Sequence, residues 1–263
     1  MYAFAYEKPA SLADVVARIA AGGQALAGGQ TLIASMKQRL AQPETLVDLG
    51  GVAELKGIRR EGPAITIGAM TRHEDVAGSA EVQQAIPALA HLAGHIGDRQ
   101  VRAMGTLGGS IANNDPSACY PSAVLGLGAT IVTDRREIPA DDYFQGMYAT
   151  ALDGGELIRA IRFPIPRKAA YAKFRQPASR FALVGVFVAQ FDTGVRVAIT
   201  GCGNGVFRHA GLEAALSGSF VPEAVAGVTI DDSDISADLH ASAAYRAHLI
   251  TVQTQVAVRQ ANG

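Results

Sequence analysis

The sequence predicts an α+β fold in which mixed strands and helices come first and an antiparallel sheet with helices follows. Three observations support this prediction. Short apolar strands alternate with helical patterns up to about residue 166. Three longer apolar runs, joined by short turns, fill residues 167–203, as is typical of antiparallel strands. Helical patterns then occupy residues 208–218 and a C-terminal stretch that begins near Asp238 and ends at about Arg259.

The first part of the chain contains clear start and stop signals. Ser11 is a candidate N-cap, Pro43 ends a helical pattern, and Glu61–Gly62 is a candidate hairpin turn. In chain order, these signals and the apolar periodicity predict a helix over residues 11–23, a short strand leading into residues 26–31, a helix over residues 31–41, a strand over residues 45–52 and a hairpin over residues 55–70.

The middle of the chain alternates helices, a glycine-rich segment and strands. Residues 71–97 predict a helix in two pieces, broken at Pro87. Residues 105–121 contain almost no bulky side chain, so we expect a loop there that leaves room for a ligand. Residues 122–133 predict a helix that leads into a strand, and residues 136–166 predict alternating strand and loop.

The chain length predicts the domain organisation, and the net charge excludes some classes of partner. The chain has 263 residues, more than most single hydrophobic cores hold, so we expect more than one subdomain. We predict an N-terminal domain over residues 1–166, with subdomains of about 1–54 and 55–166, and a C-terminal domain over residues 167–263. The formal net charge of −1 provides no field that would attract nucleic acid or an anionic membrane.

Cysteine content and hydropathy predict a cytoplasmic protein. Cys119 and Cys202 are far apart, so we expect neither a disulfide framework nor a metal site of cysteines within this chain. The first residues lack the basic and apolar regions of a signal peptide. The longest apolar run, residues 181–189, is about half as long as a membrane span requires, so no transmembrane segment is expected.

Two glycine-rich segments are candidate phosphate-binding loops: LAGGQT at residues 26–31 and GTLGGS at residues 105–110. In each, a glycine pair lies beside hydroxyl side chains, and successive backbone N–H groups can converge on an anion. A helix is predicted to follow the first segment, and its N-terminus would favour negative charge. Either segment alone is explained as well by a tight turn, whereas the pair suits a diphosphate. From the residues alone, a dinucleotide ligand and two plain turns both stay open.

Other sequence motifs give no catalytic residue and no metal ligand. GCGNGV at residues 201–206 resembles the start of a dinucleotide fingerprint, but its third glycine comes one position early, which argues against a Rossmann fold. The sequence has no P-loop, and no serine lies in a nucleophile-elbow motif. His73, His91 and His95 lack the acidic or histidine partners that a metal site would need.

Taken in order, the motifs resemble the FAD-binding subunit of the molybdenum hydroxylases, which include aerobic carbon monoxide dehydrogenase and xanthine dehydrogenase. AGGQT followed by LIASMKQRL is similar to that family's first FAD pyrophosphate loop. IGDRQVRAMGTLGGSIANNDPSACYPSAVLGLGA, residues 96–129, is similar to its second pyrophosphate segment. GGELI at residues 154–158 and YAKF at residues 171–174 resemble two of its strands, in the same order.

The resemblance implies that this chain binds FAD non-covalently, because no histidine stands at Gln30 for covalent attachment. Asn113 and Asp115 would lie near sugar or ribityl hydroxyls, and Ile158 would pack on the isoalloxazine ring. Lys173 would stabilise negative charge at the pyrimidine end of the reduced flavin. The cofactor-binding residues that the resemblance implies are Leu26, Ala27, Gly28, Gly29, Gln30, Thr31, Thr106, Leu107, Gly108, Gly109, Ser110, Asn113, Asp115, Ile158 and Lys173.

The resemblance also implies a fold and a role. The fold is a two-part FAD-binding domain of the vanillyl-alcohol-oxidase/PCMH type, followed by a C-terminal domain with a three-stranded antiparallel sheet and helices. The role is that of an oxidoreductase subunit that carries electrons from [2Fe–2S] clusters on a small subunit to an external acceptor. A large subunit with a molybdenum cofactor would oxidise the substrate, and the assembly would be a dimer of heterotrimers. Substrate and acceptor stay undetermined.

One departure and two alternatives accompany this interpretation. Cys119 stands where the family usually has an acidic residue, so we expect one contact to the flavin hydroxyls to be lost or replaced. A stand-alone FAD oxidoreductase of the same fold is the first alternative; Tyr143, Tyr148 and Glu156 are its candidate acid–base residues. The second is a nucleotide-binding module without redox activity.

Overall fold

The protein, described here over residues 1–263 by a computed structural model, begins with a small parallel sheet. Its elements are β1 (Ala5–Glu7), α1 (Leu12–Ala20), β2 (Gln24–Leu26), α2 (Leu32–Lys37) and β3 (Thr45–Asp48). The strand order is β1-β3-β2, and both outer strands run parallel to β3. Each helix returns the chain to the same end of the sheet, as parallel pairing requires.

Local capping sets the lengths of these first elements. The predicted helix over residues 11–23 is confirmed, and the Ser11 hydroxyl accepts a hydrogen bond from the Asp14 amide at 3.1 Å. The second helix ends earlier than predicted, because Arg39 adopts a left-handed conformation with φ of 61°. β3 also ends early, since the Asp48 carboxylate accepts from the Gly50 amide at 2.8 Å and starts a 3₁₀ turn.

The second sheet is antiparallel and has the order β4-β5-β10-β6-β7. Its strands are β4 (Ile58–Glu61), β5 (Ala64–Gly68), β6 (Thr130–Thr133), β7 (Glu137–Pro139) and β10 (Ile158–Pro164). The hairpin predicted over residues 55–70 is therefore confirmed as β4 and β5. A short helix, α9 (Ala140–Tyr143), and a two-stranded sheet, β8 (Phe144–Gly146) with β9 (Ala149–Thr150), lie between β7 and β10.

Six helices connect β5 to β6. They are α3 (His73–Gly78), α4 (Ala80–Ala85), α5 (Pro87–Gly94), α6 (Arg99–Met104), α7 (Leu107–Asn113) and α8 (Tyr120–Gly126). Residues 71–97 form three helices rather than the two predicted. The additional helix, α4, begins after Ser79, whose hydroxyl accepts a hydrogen bond from the Val82 amide at 3.4 Å. The helix predicted to lead into a strand over residues 122–133 is confirmed as α8 and β6.

The loop predicted over residues 105–121 is wrong for residues 107–113, which form α7, whereas residues 114–119 are non-helical as predicted. The Thr106 hydroxyl accepts from the Gly109 amide at 3.2 Å and caps α7. Gly108 allows close packing, because a Cβ at this position would lie 2.5 Å from the Cβ of Ala69. The helix ends at Asn114, which is left-handed and donates its amide hydrogens to the carbonyls of Gly146 and Ala149.

The C-terminal part is an antiparallel sheet covered by two helices. Its elements are β11 (Lys168–Arg175), β12 (Ala182–Phe191), β13 (Gly194–Thr200), β14 (Phe207–Arg208), α10 (Ala210–Gly218) and α11 (Ala243–Asn262). The expected three strands are present, but the short β14 pairs with β13 and makes the sheet four-stranded. α11 begins later than predicted, because the Asp238 carboxylate binds the amides of His240 and Ala241 in a turn before the helix.

The hydrophobic core joins the two halves of the chain. The largest cluster has 31 buried residues and packs β5, β10 and the connecting helices against one face of the C-terminal sheet, which contributes Tyr171, Phe187 and Ala198. A second cluster of 18 residues lies between the other face and α10 and α11. The domain division at residue 166, and its subdivision near residue 54, stay predictions. None of the helices is both long enough and apolar enough to span a membrane.

Candidate cofactor site

A cavity of about 850 Å³ opens between the parallel sheet, α7 and the segment that leads into β10. This volume lies in the upper part of the range of about 300–1,000 Å³ that small-molecule sites occupy. Residues 27–31, residues 105–110 and residues 115–119 contribute to its wall, together with the turn between β11 and β12. The cavity therefore gathers segments from both predicted domains around one space.

The two glycine-rich segments lie side by side in this cavity wall. A Cβ on Gly28 would lie 2.1 Å from the carbonyl oxygen of Met104, so only glycine allows the two backbones to come this close. A Cβ on Gly109 would lie 3.6 Å from the Cβ of Ala27. Segments far apart in sequence therefore form one continuous surface.

The first segment presents unpaired backbone donors. The N–H groups of Gly28, Gly29, Gln30 and Thr31 make no hydrogen bond within the protein. Gly29 is left-handed with φ of 69°, a conformation that favours glycine, and the Gln30 side-chain amide donates to the Gly28 carbonyl at 3.1 Å. Consecutive unpaired amides at the wall of a cavity are the arrangement that binds a phosphate group.

The second segment contributes hydroxyl groups rather than backbone amides. The N–H groups of Leu107 and Gly108 donate to the carbonyls of Thr71 and Ala69, at 3.0 and 2.8 Å. The N–H group of Gly109 donates to the capping hydroxyl of Thr106, and that of Ser110 donates to the Thr106 carbonyl in the first turn of α7. The Ser110 hydroxyl has no partner in the protein and lines the cavity. A ligand here would therefore meet side-chain oxygens from the second segment.

Twelve of the fifteen predicted cofactor-binding residues line the cavity. They are Ala27, Gly28, Gly29, Gln30, Thr31, Thr106, Gly108, Gly109, Ser110, Asn113, Asp115 and Ile158. Leu26 lies in β2, Leu107 is fully buried in the core, and Lys173 lies behind the cavity wall. The roles of these residues toward a cofactor stay predictions.

Among the polar residues of the cavity, Asn113 and Asp115 differ in availability. The Asn113 side chain makes no hydrogen bond within the protein. Asp115 is partly committed, because its carboxylate accepts from the Ser117 amide at 2.8 Å and from the Tyr148 hydroxyl at 3.4 Å. Asn113 is therefore the freer group for a ligand hydroxyl.

Lys173 contacts the cavity wall from outside. Its ammonium donates to the carbonyls of His95 and Arg180, at 2.7 and 3.0 Å, and lies 3.4 Å from the sulfur of Cys119. Cys119 and Arg180 line the cavity, and Cys119 is 5% exposed. The positive charge of Lys173 therefore acts on the cavity across one layer of protein atoms.

Sequence reasoning missed several wall residues. His73 is buried, its Nδ1 atom has no partner, and burial together with the charge of Arg102 lowers its pKa to about 4. Glu156, a candidate acid–base residue from the sequence, and Phe181, part of the apolar run at residues 181–189, also line the cavity. His73 and Phe181 reach the cavity through long-range packing, and no local motif marks them, whereas Glu156 lies in the GGELI motif, of which only Ile158 was assigned to the cofactor.

The cavity fits a flavin dinucleotide by volume and by donor chemistry. It offers unpaired amides at Gly28–Thr31 for a diphosphate, and the free side chains of Asn113 and Ser110 for hydroxyl or phosphate oxygens. Ile158 is 4% exposed at the same wall and supplies an apolar surface for a ring. No residue in the wall has to move to create these donors.

Comparison with known proteins agrees with this fit. The model of a family described as the FAD binding domain in molybdopterin dehydrogenase matches residues 2–166. The carbon monoxide dehydrogenase medium chain of Hydrogenophaga pseudoflava is 36% identical over 262 residues, covering 92% of this chain and 91% of the relative. The nicotine 6-hydroxylase medium subunit of Paenarthrobacter nicotinovorans is 32% identical, over 94% of this chain and 93% of the relative.

A solved structure shows the same fold. Carbon monoxide dehydrogenase from Hydrogenophaga pseudoflava, in a form that lacks the Mo-pyranopterin moiety of its molybdenum cofactor, aligns with a TM-score of 0.89 at 33% identity. The alignment covers 99% of this chain and 97% of the other. Family match, whole-chain relatives and fold thus agree, and the chain belongs to the FAD-binding domain family of the molybdopterin dehydrogenases, as the FAD-binding subunit of a molybdenum hydroxylase-type oxidoreductase.

Proposed function

We propose that this chain is an electron-transfer subunit whose FAD receives electrons from [2Fe–2S] clusters on a small partner subunit and delivers them to an external acceptor. The observation that carries the proposal is the run of unpaired N–H groups at Gly28–Thr31, which faces a cavity of about 850 Å³ beside the second glycine-rich segment. When bound, FAD supplies the redox chemistry, and the protein supplies placement and electrostatics.

Each part of the cavity has a proposed task toward FAD. The amides at Gly28–Thr31 and the Ser110 hydroxyl hold the diphosphate, and Asn113 binds a sugar or ribityl hydroxyl. Ile158 packs on the isoalloxazine ring. Lys173 acts across the wall formed by Cys119, where its positive charge favours the reduced, negatively charged state of the cofactor. We propose non-covalent binding.

The proposed partners follow from the relatives. Two of them are named as a medium chain and a medium subunit. We therefore propose a complex with a large subunit that carries the molybdenum cofactor and a small subunit with the [2Fe–2S] clusters, assembled as a dimer of heterotrimers. The names of these relatives specify carbon monoxide and nicotine as substrates, so family membership alone does not select a substrate for this chain.

The structure weighs against a stand-alone enzyme with its own acid–base residue. Glu156 accepts hydrogen bonds from Thr133, Arg136 and the Asp153 amide, and the contact with Arg136 lowers its pKa to about 2. Tyr143 is fully buried, and burial raises its pKa. Tyr148 donates its hydroxyl to the Asp115 carboxylate, and partial burial together with the charge of Asp115 raises its pKa above the usual value of 10. None of the three candidates therefore offers a group that would exchange a proton with a substrate near neutral pH.

The test is the visible absorption spectrum of the purified chain, followed by acid precipitation and chromatography of the supernatant. FAD in the supernatant, close to one per chain, and reduction of this FAD only when the partner subunits and their substrate are added are the expected results. Steady substrate turnover by the isolated chain contradicts the electron-transfer role. A colourless chain that fails to take up added FAD contradicts the binding site itself.

A further inference from the structure

A second, smaller cavity of about 350 Å³ lies outside the cofactor cavity, at the free edge of β11 between α5 and α11. β11 is an edge strand, because it pairs with β12 only. Helix α5 contributes His91 and His95 to this notch, and α11 contributes Gln253 and Gln260. We call this cavity the β11 notch.

The β11 notch is positively charged. Lys173 and Arg175 line it, and no aspartate or glutamate does. The Arg175 guanidinium makes no ion pair or hydrogen bond within the protein. Partial burial and the positive charges of His95 and Lys173 lower the pKa of His91, as expected where cationic groups crowd together. The notch therefore carries positive charge that the protein itself leaves unneutralised.

A polar side chain without a partner in the protein also lines this notch. Gln253 is 9% exposed, and its side-chain amide makes no hydrogen bond within the protein. The Gln253 amide therefore keeps its donor and acceptor capacity available for a ligand in the notch.

The histidine pair is held in place by the same elements. The His91 and His95 rings stack with centroids 4.1 Å apart, and His95 Nδ1 lies 2.8 Å from the His91 carbonyl oxygen. The Lys173 ammonium donates to the His95 carbonyl. Histidines spaced by four residues on a helix suit a metal ion in some proteins. Here Lys173 and Arg175 would repel a cation and attract an anion.

We propose that the β11 notch is a binding site for a small anionic metabolite that carries a carboxylate or phosphate group. The anionic group would accept hydrogen bonds from Arg175 and from the histidine rings, and the Gln253 and Gln260 amides would bind its remaining polar atoms. The notch is larger than one phosphate ion needs, so the ligand has a body beyond its charged group.

An anion bound in the β11 notch would change the electrostatic potential in the cofactor cavity. Lys173 lines the β11 notch and also contacts Cys119 in the cofactor wall. An anion beside Lys173 offsets part of the positive charge that acts across this wall, which makes addition of electrons to the flavin less favourable. Ligand binding and flavin reduction would then oppose each other, and this coupling is reciprocal.

The test uses the full chain with FAD, in chloride buffer at constant ionic strength, titrated separately with inorganic phosphate and with succinate. The imidazole NMR resonances of His91 and His95 report binding, and those of His209 and His240 serve as internal controls. We expect saturable shifts confined to His91 and His95 with at least one of the two anions, with half-saturation below about 10 mM. We also expect that anion to make the flavin reduction potential more negative.

Matched variants separate a site from a general charge effect. Arg175→Gln should weaken binding about tenfold or more. Arg167→Gln removes the same charge near the other end of β11, where Arg167 pairs with Asp192, and should leave binding unchanged. Gln260→Glu places a carboxylate at the exposed rim and should abolish binding without a cost to folding.

Three results would overturn the proposal. The first is no saturable shift with either anion, and the second is equal weakening by Arg175→Gln and Arg167→Gln. The third is anion binding that is present in the isolated chain but lost in the complex with the partner subunits. That result would mean that an acidic side chain of a partner subunit occupies the notch in the complex. Retained binding in the complex supports a free metabolite.

Discussion

At the scale of single residues, the glycines of the cofactor cavity serve different purposes. Gly28 is required by packing, because its missing side chain lets the backbone of the first segment touch Met104 and Gly105. Gly29 is required by its left-handed backbone. Gly109 faces the cavity, and a Cβ there would meet only the Thr106 hydroxyl closely, at 2.9 Å. A substitution at Gly28 therefore collides with backbone atoms, whereas an added methyl group at Gly109 closely meets only one side-chain oxygen of the protein.

Gly109→Ala is expected to weaken FAD binding about tenfold or more, because it adds a methyl group where the cofactor approaches α7 and disturbs the Thr106 cap. The measurement is the dissociation constant of FAD from the deflavinated chain, followed by fluorescence. Gly78→Ala is the matched control, since Gly78 also lies in a helix and a Cβ there meets nothing within 4 Å. Equal FAD affinity in both variants contradicts the assigned position of Gly109.

Glu156 is expected to stabilise the fold rather than to exchange protons. Its buried carboxylate has its pKa lowered from 4.5 to about 2, chiefly by the hydrogen bonds from Arg136. Because the folded pKa is depressed, this stabilisation is fully present above pH 4.5 and is lost as the pH falls toward 2. The shift corresponds to roughly 3 kcal/mol.

Glu156→Gln should therefore lower the free energy of unfolding at pH 7 by about 2–3 kcal/mol, and the difference from the unmodified chain should shrink below pH 4.5. Urea denaturation at several pH values measures this. Glu137→Gln is the control, because Glu137 pairs with Arg162 at the surface and should cost less than about 1 kcal/mol. A pH-independent difference for Glu156→Gln contradicts the assignment.

At the scale of elements, the two glycine-rich segments differ in how well the sequence predicts them. The prediction is correct for the first segment and wrong for the part of the second that forms α7. Residues 26–31 follow a short strand and precede a helix, and those local signals predict a turn with available amides. Residues 107–110 look like a loop because glycine pairs are poor helix formers. The amides of Leu107 and Gly108 donate to the carbonyls of Thr71 and Ala69, which are distant in sequence, and packing against Ala69 then stabilises a helix.

Capping of α7 should couple helix stability to cofactor binding. Thr106→Ala removes the N-cap and should cost about 1 kcal/mol of stability, as should Ser11→Ala at the N-cap of α1. Only Thr106→Ala should also weaken FAD binding, because Thr106 lines the cavity and Ser11 does not. Thr106→Ser should restore both properties. If Ser11→Ala weakens FAD binding by the same factor as Thr106→Ala, the loss of stability alone explains the weaker binding.

At the scale of the whole molecule, the cofactor cavity depends on both halves of the chain. The Thr200 hydroxyl donates to the carbonyls of Pro116 and Ala118, and the Gly201 amide donates to Pro116. These bonds hold the turn at residues 115–118 that forms part of the cavity wall. Sequence patterns predicted the strands on both sides, but such contacts between distant segments leave no local signal.

A fragment of residues 1–166 is therefore expected to lack both a cooperative unfolding transition and FAD binding. It would lose Tyr171, Phe187 and Ala198 from the main core and the support at Pro116. Circular dichroism during thermal denaturation and an FAD titration measure the two properties. A fragment that unfolds cooperatively and binds FAD as tightly as the full chain contradicts the shared core described here.

The most direct test of the central claim is a titration of FAD into the deflavinated, ¹⁵N-labelled chain, followed through its backbone amide resonances. If the unpaired amides hold the diphosphate, the resonances of Gly28, Gly29, Gln30 and Thr31 shift downfield as hydrogen bonds form. Those of Leu107 and Gly108 change less, because their N–H groups already donate to protein carbonyls. FAD binding that leaves the resonances of residues 28–31 in place would contradict the claim.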